Sequence, residues 1–154
     1  MTKKIVSGGQ TGADQAGLDA AMRHNIPHGG WTPKGRLTEN GPLPERYKLK
    51  EMASPNYAVR TEQNVIDSDG TLIIAHGKLT NGSALTRELA EQHNKPCLFL
   101  DMSQLSFEKA HIDLVRWLSE HHIEVLNIAG PRASKDPEIS ATVSQILDNL
   151  FSVE

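Results

Sequence analysis

Lys3-Lys4-Ile5-Val6-Ser7-Gly8-Gly9-Gln10-Thr11-Gly12-Ala13-Asp14 is the stretch that decides the fold of this chain. A short apolar run leads straight into a glycine-rich turn, and an alanine-rich helical pattern follows from Ala13 to about His24. A strand, a tight turn and a helix N-terminus in that order make an anion site. Turn glycines let backbone N–H groups approach a ligand, and the helix dipole places about half a positive charge behind them. Gly8, Gly9, Gln10, Thr11 and Gly12 are therefore expected to hold a phosphate or a similar oxyanion. Thr11 with Asp14 three residues on also forms a variant of the capping box. A carboxylate would repel phosphate at contact distance, so Asp14 is expected to cap, to bind a hydroxyl or to pair with Arg132.

Outward from this stretch the pattern repeats. Ile26 to Trp31 predicts a brief second strand that enters a long loop, about Thr32 to Arg60. Pro33, Gly35, Asn40-Gly41-Pro42, Pro44 and Pro55 bar a long helix there. A structureless loop of that length is more often a lid or binding loop than idle. Arg60 to Asp67 suits a short helix with Thr61 as N-cap. Gly70 to Ala75 predicts a buried strand, Asn81 to about His93 a helix, and Pro96 to Leu100 another buried strand. Phe107 to His121 has helical spacing, Val125 to Ala129 is the last strand, and a final helix starts near Pro137. Apolar strands alternating with helices read as an α/β, Rossmann-like, open and mostly parallel sheet with helices on both faces. Such sheets bind ligands at the carboxyl ends of their strands. Ser7-Gly8-Gly9, His76-Gly77 with Asn81-Gly82-Ser83, and Gly130-Pro131-Arg132 all fall on that rim.

The composition bounds the function. With 154 residues, 38% of them hydrophobic, the chain fits one domain over residues 1–154. A net charge of −3 argues against nucleic acid as a partner. No apolar stretch approaches the roughly 20 residues that cross a bilayer, so a cytoplasmic protein with no membrane partner is expected. A single cysteine, Cys97, excludes an intramolecular disulfide, and the seven scattered histidines predict no metal site. Gly30 to Arg36 superficially resembles a P-loop, but Leu37 stands where the metal-binding hydroxyl belongs. Lys34 and Arg36 remain candidates to close over an anion. Asp67-Ser68-Asp69-Gly70 reads as a turn, because the calcium-loop spacing is missing.

The motifs Gly8 to Asp14, Gly29 to Arg36, Arg60 to Val65, Asp67 to Leu72 and Asn127 to Arg132 together resemble the putative molybdenum cofactor carrier family. That family lies in the circularly permuted branch of the SLOG group of Rossmann-like domains. The resemblance implies an open α/β sandwich, frequent homo-oligomers and a ligand site at the glycine loops. It implies as ligand the molybdenum cofactor, a phosphorylated pterin, or else a nucleotide or an ADP-ribose derivative. The wider group includes phosphoribohydrolases, whose Gly-Gly-x-Gly-Thr-x-x-Glu turn carries a catalytic Glu. Here Gly82-Ser83-Ala84-Leu85-Thr86 matches the turn, but Thr86 holds the Glu position, so the general acid/base is missing.

The resulting expectation is a carrier of a phosphorylated small molecule. Gly8, Gly9, Gln10, Thr11 and Gly12 would hold a phosphate with Asp14 alongside. Gly82 and Ser83 would hold a second group or the same one, and Lys34, Arg60 and Arg132 would supply charge. The alternatives are a nucleotide hydrolase using Asp14, Asp69 or Glu88, and a nucleotide-sensing module.

Overall fold

In the computed structural model of the chain, which describes residues 1–153, the apolar runs become five parallel strands of one sheet. The elements are β1 (Lys4–Val6), α1 (Ala13–Arg23), β2 (His28–Gly29), β3 (Trp31–Thr32), β4 (Leu37–Thr38), β5 (Gly41–Pro42) and β6 (Lys50–Glu51). Then follow α2 (Tyr57–Asp67), β7 (Gly70–Ala75), α3 (Asn81–Gln92), β8 (Cys97–Asp101), α4 (Phe107–Glu120), β9 (Val125–Ala129) and α5 (Ile139–Phe151). The main sheet has the order β2-β1-β9-β7-β8, with Ile5 opposite Leu126 and Leu72 opposite Ile128. The arrangement is an α/β Rossmann-like fold.

Alternation along the strands sorts side chains to two layers. Ile5, Leu72, Ile74, Leu126 and Ile128 pack with Ala16 and Ala20 of α1, Leu114 of α4 and Val143 and Ile146 of α5. On the other face Val65 of α2 meets Leu89 and Ala90 of α3. β7 is buried along its whole length, as a continuous apolar run in a doubly covered sheet should be. No helix among the described residues is long and apolar enough to cross a membrane.

Three expectations are corrected. The segment from Thr32 to Arg60 is not structureless. It carries β3 paired parallel with β6, and the β4–β5 hairpin. Its Leu43, Tyr47 and Leu49 form a small core of their own against Leu18 of α1. Arg36, read as a cation for a ligand, donates instead to the carbonyls of Leu43, Pro44, Tyr47 and Leu49 and so staples this strap. Second, α2 starts at Tyr57, capped by Asn56, whose Oδ1 accepts from Ala58 N at 2.8 Å. Thr61 lies inside the helix and donates to the Tyr57 carbonyl. Third, α5 starts at Ile139, beyond Pro137. The Asp136 carboxylate accepts from Glu138 N and ends the preceding turn. Asp69 is a turn residue, accepting from Glu124 N and Val125 N.

Candidate functional site

β1, β9 and β7 lie side by side, so the segments leaving their carboxyl ends meet on one rim. A cleft of about 320 Å³ opens there. Its floor includes Gln10 and Asp14 after β1 and Gly130 to Arg132 after β9. One wall is α2, from Tyr57 to Thr61, and the other is the first turn of α3, from Thr80 to Ser83. Three cations line it, Arg60, Arg132 and Lys135, against one carboxylate, Asp14.

The two helix N-termini on this rim differ. At α1 the anion position is filled by the protein itself. Asp14 Oδ2 accepts from Gln10 N at 3.1 Å, and the Gly8 N–H also bonds this carboxylate. Thr11 N donates to the Gln10 side chain and Ala13 N to the Pro131 carbonyl. Asp14 therefore braces the turn before α1, and the expected Thr11–Asp14 capping box does not form: Gly12 is the N-cap, no side chain caps the helix, and the Thr11 hydroxyl is taken by Glu39 and Ala133 N. Its side chain is only 7% exposed, and its Oδ2 lies 3.6 Å from Arg60 Nη1. Burial raises its pKa, while Arg60 and the two backbone donors oppose that shift.

The turn glycines meet protein rather than open space. A side chain at Gly8 would run into the Arg60 guanidinium, and one at Gly9 would meet Leu43 at 2.9 Å. Gly12, with φ +81°, lies under the backbone of Pro131 to Ala133. Thr11 donates to the Glu39 carboxylate and accepts from Ala133 N at 3.1 Å. Of the turn, only Gln10 reaches the cleft lining, together with Asp14.

At α3 the N-terminus is open. Thr80 stands at the N-cap but makes no side-chain capping bond. Asn81 follows with φ +40°, a left-handed conformation that Asn adopts more readily than most non-glycine residues. A side chain at Gly82 would meet nothing within 4 Å. Gly82 and Ser83 line the cleft together with Arg60 and Arg132. Thr86 also lines it, donating to the Gly82 carbonyl at 2.8 Å.

Arg132 does not pair with Asp14. Its Nε lies 3.5 Å from Glu39 Oε1, and Glu39 also accepts from Ser134 N and Ser134 Oγ. Lys34 sits on the strap, where its N–H donates to the Ser54 carbonyl, and it does not line the cleft. Tyr57, Thr80 and Lys135 join the lining from outside the sequence motifs, and Glu39 reaches Arg132 from the strap. Lys135 had a sequence signal in its place three residues after Arg132 on the same rim loop. Tyr57 and Glu39 had none, because each acts through contacts across the chain. Cys97 is half-buried, and burial lifts its thiol to about 11, which makes it a packing residue.

An open parallel sheet with a cationic, ligand-sized cleft on its carboxyl rim defines a Rossmann-like binding domain. The chain belongs to the circularly permutated YpsA SLOG family, which it matches over residues 5–151. It is similar to a putative molybdenum carrier protein from Syntrophus aciditrophicus SB, known from a 1.45 Å crystal structure. The two are 57% identical, with a TM-score of 0.96 over 97% of this chain and 94% of the other. No curated protein matches this chain.

Proposed function

We propose that this protein binds and carries a phosphorylated small molecule in the cleft between α2 and α3. Arg60 carries the reading. Its guanidinium packs over Gly8 and lines the cleft together with Arg132 and Lys135, and three cations against the one carboxylate of Asp14 suit a phosphoryl group. The uncapped first turn of α3, with Gly82 and Ser83, supplies backbone donors, and Arg132 and Lys135 supply further charge. The molybdenum carrier neighbour makes a phosphorylated pterin one candidate cargo, and a nucleotide uses the same donors. On this reading the glycine turn of residues 8–12 shapes the site and holds Arg60, while the anion lies nearer α3.

Calorimetry tests the reading. A nucleoside monophosphate should bind, and its nucleoside at least tenfold more weakly. Arg132→Ala should weaken the phosphorylated ligand by about 1.5–3 kcal/mol, the range for a charge-assisted hydrogen bond, and the nucleoside much less. Equal losses for both would show that Arg132 supports the fold instead. The hydrolase alternative keeps one specific support, the buried Asp14 in the cleft. Release of free base by wild type, lost in Asp14→Asn, would replace the carrier reading with that one.

A further inference from the structure

The cleft has a second, chemically different surface, and the role inferred for it rests on the phosphate reading above. Tyr57 opens α2 and lines the cleft, yet stays 42% exposed. Ala58 and Leu85 continue the apolar surface beside it. The Arg60 guanidinium lies 5.7 Å from the centre of the Tyr57 ring, so the ring adjoins the cation at one end of the wall. The same guanidinium is 3.6 Å from Asp14, so the aromatic surface and the cationic end of the cleft adjoin through one side chain.

A phosphorylated sugar would satisfy the cationic end and lay hydroxyls against an apolar ring. A planar heterocycle would cover the ring face to face and take it out of water. We infer that Tyr57 is a specificity-determining residue. It stacks the planar heterocycle of a phosphorylated ligand, and it lets the protein reject phosphosugars that lack one. Stacking depends on a π-face that every such ring presents, so this device accepts purine and pterin alike. The cleft volume of about 320 Å³ lies at the low end of the ~300–1,000 Å³ typical of small-molecule pockets. That fits one mononucleotide-sized molecule better than a dinucleotide.

The test titrates GMP, AMP and ribose 5-phosphate into the full chain and into Tyr57→Leu and Tyr57→Phe. Stacking on one aromatic side chain corresponds to roughly 5- to 150-fold in affinity. Wild type should bind at least one of the two nucleotides tighter than ribose 5-phosphate by a factor in that range. Tyr57→Leu keeps apolar bulk but no ring. It should cost that nucleotide at least about fivefold more than it costs ribose 5-phosphate and so bring the two affinities together, whereas Tyr57→Phe should retain the preference. Equal binding of all three to wild type, or an equal loss for all three in Tyr57→Leu, overturns the role of Tyr57 and leaves the phosphate site standing. If none of the three binds, the phosphate reading falls and this inference with it.

Discussion

At Gly12 an added Cβ would stand 2.5 Å from the Pro131 carbonyl oxygen and 2.7 Å from Ala133 N, with the backbone at φ +81°. Both the conformation and the space exclude a side chain, and both neighbours are backbone. Gly12→Ala should therefore destabilise the fold by more than the ~1 kcal/mol of a simple left-handed penalty, roughly 2–3 kcal/mol in urea unfolding. Gly77 makes the matched control. It has φ +96° but nothing within 4 Å of where a Cβ would stand, so Gly77→Ala should lose only about 1 kcal/mol. Equal losses would show that the packing against Pro131 and Ala133 contributes nothing. Tyr47 is a second informative residue. It is 1% exposed, donates to Asp19 Oδ1 at 2.8 Å and is pushed up to about 12 by burial and by Asp19. The hydroxyl also accepts from Arg46 Nη2 at 2.7 Å, so Tyr47→Phe removes two bonds to charged partners and should cost about 2 kcal/mol, with Asp19→Asn/Tyr47→Phe no worse than additive. The glycine turn was legible in the sequence as a turn at a helix start. What it meets was not, because Arg60, Leu43 and Pro131 arrive from distant parts of the chain.

Among the elements, the β4–β5 hairpin shows how a segment rich in Pro and Gly can still be ordered. Its apolar residues are too sparse for a periodic signal, and its strands are two residues long, so it reads as loop. Order comes from Arg36 on the strap carbonyls, from Leu43 on α1 and from Glu39 on the rim. Hydrogen bonds from Ser134 and Thr11, with Arg132 nearby, hold the Glu39 carboxyl below its ordinary value. A group whose folded pKa is lower than its unfolded one adds stability that is complete above the ordinary carboxylate range. That stability is lost as pH falls through the folded value. The hairpin contact should thus be intact throughout the ordinary carboxylate range and release only as pH falls below it. A carboxyl ¹³C titration of Glu39 reads this directly, and a midpoint at or above the unperturbed value would remove the latch. The main helices and strands, by contrast, are legible from a continuous apolar run, as in Gly70–Ala75, or from helical periodicity sustained over several turns, as in Phe107–Glu120.

For the whole molecule, the cleft joins segments that are far apart in sequence, the turn after β1, α2, the start of α3 and the loop after β9. A ligand held there binds the native state and not the unfolded chain, so occupancy appears as global stability. At a free ligand concentration a hundredfold above Kd the gain is about 2.7 kcal/mol. For a chain of 154 residues each kcal/mol corresponds to about 2–4 °C in Tm, so saturation should raise Tm by about 5–10 °C. A nucleoside monophosphate that binds should give that shift, and its nucleoside should give little at the same concentration. Arg132→Ala should reduce the shift without lowering the unliganded Tm by more than ~2–3 °C, because the Arg132 side chain is 44% exposed and its ion pair with Glu39 is worth little in water. A large fall in the unliganded Tm with an unchanged ligand shift would make Arg132 a brace for the hairpin and leave Arg60 and Lys135 as the charges that read the phosphate.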